Sequence, residues 1–208
     1  MIIQPIVEGQ GDEAAVPLLL RKLRDEAKAW GLEIGRPHRR RRSQLVKKDT
    51  LQAAVRVAAL REDCVGILII FDADDDCPKE LAPRIDEWAR EAAARKACAV
   101  VLANREYEAW LLGSIASLRG KGAIVPDAAE HADPESPRDA KGELERRMSG
   151  NNGYSPTVDQ APLTAHLDLQ SAYRCCRSFR KLVGAFGELA EAAGVAPAVW
   201  PPSAWRHD

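Results

Sequence analysis

The sequence lacks the patterns that would place it in a membrane, secreted or zinc-binding class. No apolar run approaches the roughly 18 to 20 residues that a membrane-spanning helix needs. The start, Met1 to Pro5, lacks the basic region of a secretion signal. The five cysteines include no Cys-x-x-Cys pair, which predicts reduced thiols and no zinc site. We therefore expect a cytoplasmic protein with no membrane partner.

The chain also has no overall excess of positive charge of the kind that often marks a nucleic-acid-binding protein. There are 30 basic and 31 acidic residues, and the formal net charge is −1. The charges are nevertheless segregated, because residues 36–48 are rich in Arg and Lys and contain no acidic side chain, whereas Asp74 to Asp76 are consecutive aspartates. The basic segment is typical either of a polyanion-binding surface or of a solvated loop.

The length and the order of apolar segments predict an α/β fold. The 208 residues fit one ordinary domain, and 46% apolar residues are enough to form a core. Short β-branched or continuous apolar runs alternate with helical patterns, which predicts a mainly parallel sheet of about four strands with helices on both faces. The predicted strands are Ile2 to Val7, Leu32 to Ile34, Val65 to Phe71 and Ala97 to Ala103, and we expect the first, third and fourth to be adjacent in the middle of the sheet.

Helical patterns divide the chain into a core, residues 1–112, and a helical and irregular extension packed on it, residues 113–208. Asp12 is the predicted N-cap of the first helix. Residues 149–162 are rich in Gly, Asn, Pro and Ser and predict a loop, and residues 197–208 predict a surface tail. The predicted helices cover Glu13 to Leu23, Thr50 to Leu60, Pro78 to about Arg95, Asp139 to Met148, and Ser178 to Ala193.

Carboxylates follow three of the predicted strands. Glu8 follows the first, Asp72 and Asp74 follow the most hydrophobic one, and Glu108 lies a few residues after the next. Functional groups of open α/β sheets gather at the carboxyl ends of the strands, and residues two apart in an extended segment share a face. Such oxygen ligands suit Mg2+ or Mn2+. A solvated loop or a helix cap is the alternative interpretation of the aspartate run.

These motifs resemble a known superfamily. The segment Glu8-Gly9-Gln10-Gly11-Asp12 after a first strand, followed by an Asp-x-Asp pair after a hydrophobic strand, resembles the Toprim signature of topoisomerases, bacterial primases and overcoming-lysogenization-defect (OLD) nucleases. Residues 105–112 resemble the acidic motif that follows the next strand in OLD-like and defence-associated Toprim proteins. With residues 138–141 and 177–182, the pattern is closest to an uncharacterised bacterial Toprim-like family.

The resemblance implies a Toprim-type nuclease that hydrolyses DNA or RNA phosphodiesters with Mg2+ or Mn2+. The implied catalytic residues are Glu8, Asp72, Asp74, Glu108 and Lys181, with Lys141 as a rival for the lysine. The implied metal ligands are Glu8, Asp72, Asp74, Asp76 and Glu108. The expected nucleic-acid-binding residues are Arg39, Arg40, Arg41, Arg42, Arg105, Arg138, Lys141 and Arg180.

The resemblance also implies a partner and leaves alternatives open. OLD proteins carry an ATPase domain, but this sequence has no Gly-x-x-x-x-Gly-Lys-Ser/Thr loop, so we expect any ATPase to be a separate subunit, as in an anti-phage defence system. One alternative is a non-catalytic Toprim module that binds nucleic acid or a nucleotide and scaffolds that ATPase. An aspartyl-phosphate phosphatase fits less well, since its nucleophile motif normally follows the first strand, where this chain has Glu8.

Overall fold

The structure is a computed structural model that describes residues 1–150, 153–195 and 198–206. Five strands form one sheet in which every pairing is parallel, with β1, β4 and β5 adjacent in that order. The two short strands β2 and β3 both pair with the other edge of β1. The strands are β1 (Ile2–Val7), β2 (Glu33–Ile34), β3 (His38–Arg39), β4 (Cys64–Asp72) and β5 (Ala97–Ala103).

Ten α-helices, a π-helix and a 3-10 helix surround the sheet within the described residues. The α-helices are α1 (Asp12–Glu26), α2 (Arg42–Leu45), α3 (Lys48–Ala59), α4 (Pro78–Ala92), α5 (Glu108–Leu112), α6 (Ile115–Leu118), α7 (Ala140–Glu145), α8 (Ala161–His166), α9 (Leu169–Cys175) and α10 (Arg177–Ala192). The π-helix spans Pro156–Gln160 and the 3-10 helix spans Ser203–Trp205. None of the described helices is long and apolar enough to cross a membrane.

The apolar side chains of β4 alternate between two cores, as the two-residue period of a strand requires. Leu68 and Ile70 belong to the core on one face of the sheet, which α1 and α10 cover. Ile67 and Ile69 belong to the core on the other face, which α3 and α4 cover. This arrangement confirms the predicted α/β class, with a mainly parallel sheet and helices on both faces. The strands β1, β4 and β5 are adjacent, as predicted, but β5 lies at one edge of the sheet rather than in its middle.

The extension is part of the hydrophobic core rather than an outer addition. Phe179, Leu182 and Phe186 of α10 are fully buried with the apolar residues of β4 and β5. The sequence predicted α10 within one residue at each end but missed α8, α9 and the π-helix, which are all short.

The N-cap of α1 and the C-terminal tail were both predicted from the sequence. Asp12 is the first residue of α1 and Gly11 is the N-cap, so the prediction of Asp12 as the cap was wrong. In the predicted tail, the Trp200 indole donates a hydrogen bond to the Val183 carbonyl at 2.8 Å. Pro197, His207 and Asp208, which also belong to that predicted tail, lie outside the described residues.

Candidate acidic site

The carboxylates predicted from three strand ends lie at one end of the sheet. Val7 pairs with Ile70 and Asp72 pairs with Ala103, so the parallel register brings the ends of β1, β4 and β5 side by side. A cleft of about 300 Å³ lies at this end of the sheet. Its lining includes Glu8, Asp12, Asp72, Tyr107, Glu108 and Lys141, together with Pro156, Thr157 and Gln160 of the extension.

The glycine loop after β1 is fixed by the side chain of Asp12. One carboxylate oxygen accepts a hydrogen bond from the Gly9 backbone nitrogen at 2.8 Å, and the other accepts one from Gln160 Nε2 at 2.9 Å. The π-helix approaches the loop so closely that a Cβ on Gly11 would lie 2.6 Å from the Pro156 carbonyl oxygen. A glycine is therefore required at position 11 because the extension packs directly against the loop.

Asp72 is oriented by the chain that follows β5. The Tyr107 backbone nitrogen donates a hydrogen bond to Asp72 Oδ1 at 2.8 Å, and Oδ2 lies 3.8 Å from Lys141 Nζ. Burial raises the pKa of Asp72 well above its usual range, and the nearby charge of Glu108 raises it further. The side chain retains 25% exposure, which leaves it accessible from the cleft.

Glu108 is a buried carboxylate at the start of α5. Its side chain is 1% exposed, and its Oε2 has no hydrogen-bond partner among the described residues. The closest cation is the Lys141 ammonium, 3.9 Å away. Burial raises the pKa of Glu108 to about 7, although the charge of Lys141 and the neighbouring Tyr154 hydroxyl act in the opposite direction. Carboxylates whose pKa values are strongly shifted by burial and by a specific charge partner cluster at functional sites.

Glu8 also has an oxygen without a partner. Its Oε2 is buried and accepts no hydrogen bond from the described residues, and an Arg42 nitrogen lies 4.0 Å away. Burial raises the pKa of Glu8, while the charge of Arg42 lowers it. Two carboxylate oxygens at this end of the sheet are therefore desolvated without compensating hydrogen bonds, an arrangement that costs free energy unless a ligand supplies the missing contacts.

Lys141 supplies the positive charge inside the cleft. Both oxygens of Glu106 bind this residue, one through the Lys141 backbone nitrogen at 3.0 Å and one through Nζ at 3.1 Å. Burial alone lowers the pKa of the ammonium, but the carboxylates of Glu108, Asp72 and Glu106 together raise it. Lys181, the lysine named first from the sequence, is exposed on α10 and does not line the cleft.

The run Asp74 to Asp76 forms the outer rim of the site rather than its interior. Asp74 has a left-handed backbone, with φ of 50°, and its exposed carboxylate lies 3.3 Å from Arg42 Nε. Asp76 lies 2.5 Å from another nitrogen of Arg42. Asp75 lies 3.0 Å from Arg105 and 3.4 Å from Arg138. Asp72 and Asp74, which were expected to reach one point, therefore diverge: Asp72 lines the cleft and Asp74 does not.

The arginine run lies beside the site, because Arg39 of β3 pairs with Val7 of β1. Its members have different surroundings. Arg39 forms an ion pair with Glu13 at 3.2 Å, whereas Arg41 is exposed at the N-terminus of α2. Arg42 donates hydrogen bonds to the carbonyl oxygens of Asp72 and Ala73, the second at 3.0 Å. Arg42 thus links the end of β4 to the rim.

Arg180 is placed away from the cleft by its hydrogen bonds. It donates to the carbonyl oxygens of Tyr173 and Arg174, each at 3.0 Å, and so binds the last turn of α9. Of the expected polyanion-binding residues, the structure therefore brings Arg42, Arg105, Arg138 and Lys141 to the acidic residues, and it leaves Arg180 on the extension.

Sequence reasoning missed two residues that shape the site. Glu106 holds Lys141, and Gln160 holds Asp12. Glu106 lies inside the motif of residues 105–112, which was a signal that it belongs to the site. Gln160 lies in a segment that the sequence predicts to be a loop. Nothing in the neighbouring sequence indicates that Gln160 contacts Asp12, which lies 148 positions earlier.

The donor atoms suit a hard cation, although the side chains are not gathered around one point. The cleft offers carboxylate oxygens, and those of Glu8 and Glu108 lack partners among the described residues. Within residues 1–150, 153–195 and 198–206, however, no three acidic, histidine or cysteine side chains are grouped closely enough to hold a metal ion. The chemistry of these residues fits Mg2+ or Mn2+ that takes only a few protein ligands.

Comparison with known proteins gives one family and no closer relative. The model of the family described as a domain of unknown function (DUF4276) matches residues 7–186, which include every cleft residue named above. No curated protein and no solved structure matches the chain.

Proposed function

We propose that this chain, which belongs to the DUF4276 family, is a nuclease of Toprim type that hydrolyses DNA or RNA phosphodiesters with Mg2+ or Mn2+. The observation that carries the proposal is the pair of buried carboxylate oxygens, one on Glu8 and one on Glu108, that lack hydrogen-bond partners in the described structure and line the same cleft. A protein tolerates such groups where a ligand satisfies them.

The residues that would hold the cation are drawn from Glu8, Asp72 and Glu108, of which no more than two would bind one ion directly, since no three are grouped closely enough in the described chain. Mg2+ commonly binds through one or two carboxylates and completes its coordination with water and substrate phosphate, so the absence of a three-residue group in the described chain is compatible with this role. When bound, the ion supplies charge stabilisation at the phosphate and a water of lowered pKa. The hydrogen bond from the Tyr107 nitrogen fixes which Asp72 oxygen faces Lys141 and the cleft.

Basic residues at the rim would hold the nucleic-acid backbone. A cleft lined by four carboxylates repels a polyanion, so binding needs positive charge close to the entrance. Arg40 and Arg41 follow the strand that pairs with the end of β1, and neither forms an ion pair within the described residues. They are the residues best placed for phosphate contacts that do not depend on base sequence. Lys141 is the candidate for contact with the phosphate inside the cleft.

The second candidate function is a non-catalytic Toprim module that binds nucleic acid or a nucleotide and scaffolds a partner ATPase. The lack of a three-ligand group among the described residues favours it, since a module that has lost turnover needs no assembled metal site. An ATPase subunit and a role in anti-phage defence belong to either proposal. Co-purification of the chain with an ATPase of the same operon tests that part.

Cleavage assays test the main proposal. Plasmid DNA, single-stranded DNA and RNA are incubated with the full chain and Mg2+, Mn2+ or EDTA, and the variant Glu108→Gln is run beside Glu130→Gln. Glu130 is an exposed carboxylate outside the cleft, so it controls for loss of one negative charge. We expect metal-dependent cleavage that only Glu108→Gln abolishes. Binding without cleavage of any substrate would favour the non-catalytic module.

A further inference from the structure

Lys141 is fixed inside the cleft by a carboxylate that is not among the proposed metal ligands. Because Glu106 binds both the backbone nitrogen and Nζ of Lys141, the side chain is anchored at its two ends. The ammonium lies 3.8 Å from Asp72 Oδ2 and 3.9 Å from Glu108 Oε2. A positive charge of the chain itself therefore lies within ion-pair distance of two carboxylates that would hold the cation.

This ammonium neutralises charge without satisfying the buried oxygen. At 3.9 Å it is too far from Glu108 Oε2 for a hydrogen bond. That oxygen, on a side chain that is 1% exposed, forms no hydrogen bond in the described chain; the Tyr154 hydroxyl is near enough to lower the pKa of Glu108 but is itself without a hydrogen-bond partner. A divalent ion at Glu108 would supply the missing contact. It would also be repelled by the ammonium, which Glu106 holds in place.

We propose that Lys141 is a built-in counter-ion that keeps the affinity for a free divalent cation low, and that a phosphate of the nucleic acid makes the ion bind tightly. The inference rests on the proposed metal site and adds how that site is regulated. A phosphate contributes oxygen ligands and negative charge, and it gives the Lys141 ammonium an additional anionic partner. Metal binding and substrate binding then favour each other, and the coupling is reciprocal.

Calorimetric titration of the full chain with MnCl2, without nucleic acid, measures the counter-ion effect. We expect Lys141→Met to bind Mn2+ about tenfold or more tightly than the wild type, since the variant lacks a positive charge that lies 3.8 and 3.9 Å from the two carboxylate oxygens that would hold the ion. Lys141→Arg keeps the charge and should bind Mn2+ as weakly as the wild type. Lys121→Met removes an exposed lysine that does not line the cleft and is the matched control.

The effect of nucleic acid on Mn2+ binding provides a second test, and its main measurement needs only the wild type. A phosphorothioate oligodeoxynucleotide should tighten Mn2+ binding by the wild type by about tenfold. The gain should be smaller in Lys141→Met, because the positive charge that opposes the ion is already absent. Equal Mn2+ affinity of the wild type and Lys141→Met, with melting curves showing both folded, would overturn the inference. The inference would also be overturned if the oligonucleotide did not change the Mn2+ affinity of the wild type.

Cleavage is measured separately so that the two proposals can fail separately. If Lys141→Met binds Mn2+ more tightly while the wild type cuts no substrate, the counter-ion role stands and the nuclease proposal fails. If the wild type cuts nucleic acid while Lys141→Met shows no gain in Mn2+ affinity, the nuclease proposal stands and the counter-ion role fails. Absence of Mn2+ binding in every protein, with and without the oligonucleotide, overturns both.

Discussion

Two groups of carboxylates at the same end of the sheet differ in what neutralises them. Glu8, Asp72 and Glu108 line the cleft, have raised pKa values, and include two buried oxygens without hydrogen-bond partners in the described structure. The run Asp74 to Asp76 is exposed, and each of its members forms an ion pair with an arginine. Each rim carboxylate is therefore paired with a cation, whereas the cleft has four carboxylates and one lysine, and two of its carboxylate oxygens lack the contacts that a ligand would supply.

This difference is the opposite of what the sequence alone indicates. Three consecutive aspartates are the most conspicuous acidic feature of the chain, yet they pair with Arg42, Arg105 and Arg138. Exposed ion pairs contribute little to stability individually, but those of Arg42 join three segments of chain. The less conspicuous Glu8 and Glu108 carry the unsatisfied oxygens, which supports the proposal that the cleft, and not the rim, binds the cation.

The largest expected effect separates the two groups by activity. Asp72→Asn should lower metal-dependent cleavage by about a hundredfold or more, because it removes a carboxylate that would hold the cation. Asp75→Asn, an equally conservative change at the rim, should retain cleavage within a few-fold. Initial rates on a labelled oligonucleotide with saturating Mn2+ measure both. Equal losses in the two variants would show that the distinction between cleft and rim is wrong.

The second expected effect is on stability against pH. Glu108 has an ordinary pKa of 4.5 and a folded-state pKa of about 7, so the folded chain binds a proton that the unfolded chain has lost. Stability from this group is complete below pH 4.5 and declines as the pH rises to about 7. The total is about 3 kcal/mol at most, since each pKa unit corresponds to about 1.4 kcal/mol.

Urea denaturation without divalent ions at pH 5 and pH 7.5 measures this decline. Glu108→Gln should reduce it, because the amide does not titrate, and Glu130→Gln at the surface should leave it unchanged. Part of the decline should remain in Glu108→Gln, since the pKa of Asp72 is also raised. A pH dependence that is identical in the wild type and Glu108→Gln would contradict the raised pKa of Glu108.

The sequence was sufficient for the central strands and insufficient for the smaller elements. A short β-branched segment predicted β1, and apolar runs predicted β4 and β5, all almost residue for residue, because strands buried on both faces leave a local pattern. The two-residue strand β3 has no such pattern, since it exists through its pairing with Ile6 and Val7 of β1. The register of parallel strands then placed Glu8 and Asp72 at one end, as predicted.

The sequence pattern alone could not identify which lysine lies in the cleft. Lys141 and Lys181 both lie in motifs that resembled the Toprim-like family, and either could have faced the acidic residues. What decides between them is a tertiary contact, the binding of Lys141 by Glu106 from a position 35 residues away. Contacts of this kind depend on how the extension packs on the sheet, and that packing has no signature in the composition of a single segment.

A third prediction concerns Arg42, the arginine that joins the rim to β4. Arg42→Ser should destabilise the fold by about 2 kcal/mol, because it breaks hydrogen bonds to the Asp72 and Ala73 carbonyl oxygens and leaves Asp74 and Asp76 unpaired. Arg41→Ser should change stability by less than about 0.5 kcal/mol, as is usual for an exposed side chain. Thermal or urea denaturation of the two variants measures whether Arg42 contributes more to stability than Arg41 does. Equal stabilities would show that Arg42 is not structural.

The smallest expected effect belongs to Arg40 and Arg41, the members of the run that form no ion pair in the described structure. Replacing both by Ser should leave the melting temperature nearly unchanged but weaken binding of single-stranded DNA, with a plot of log affinity against log salt that is shallower by about 1.4. That value follows from the loss of two phosphate contacts at roughly 0.7 each. Arg21 and Arg56, exposed basic residues of α1 and α3 that do not line the cleft, provide a matched double variant. If both double variants shift the salt dependence equally, net charge rather than the surface beside β1 determines binding, and the site loses its proposed entrance.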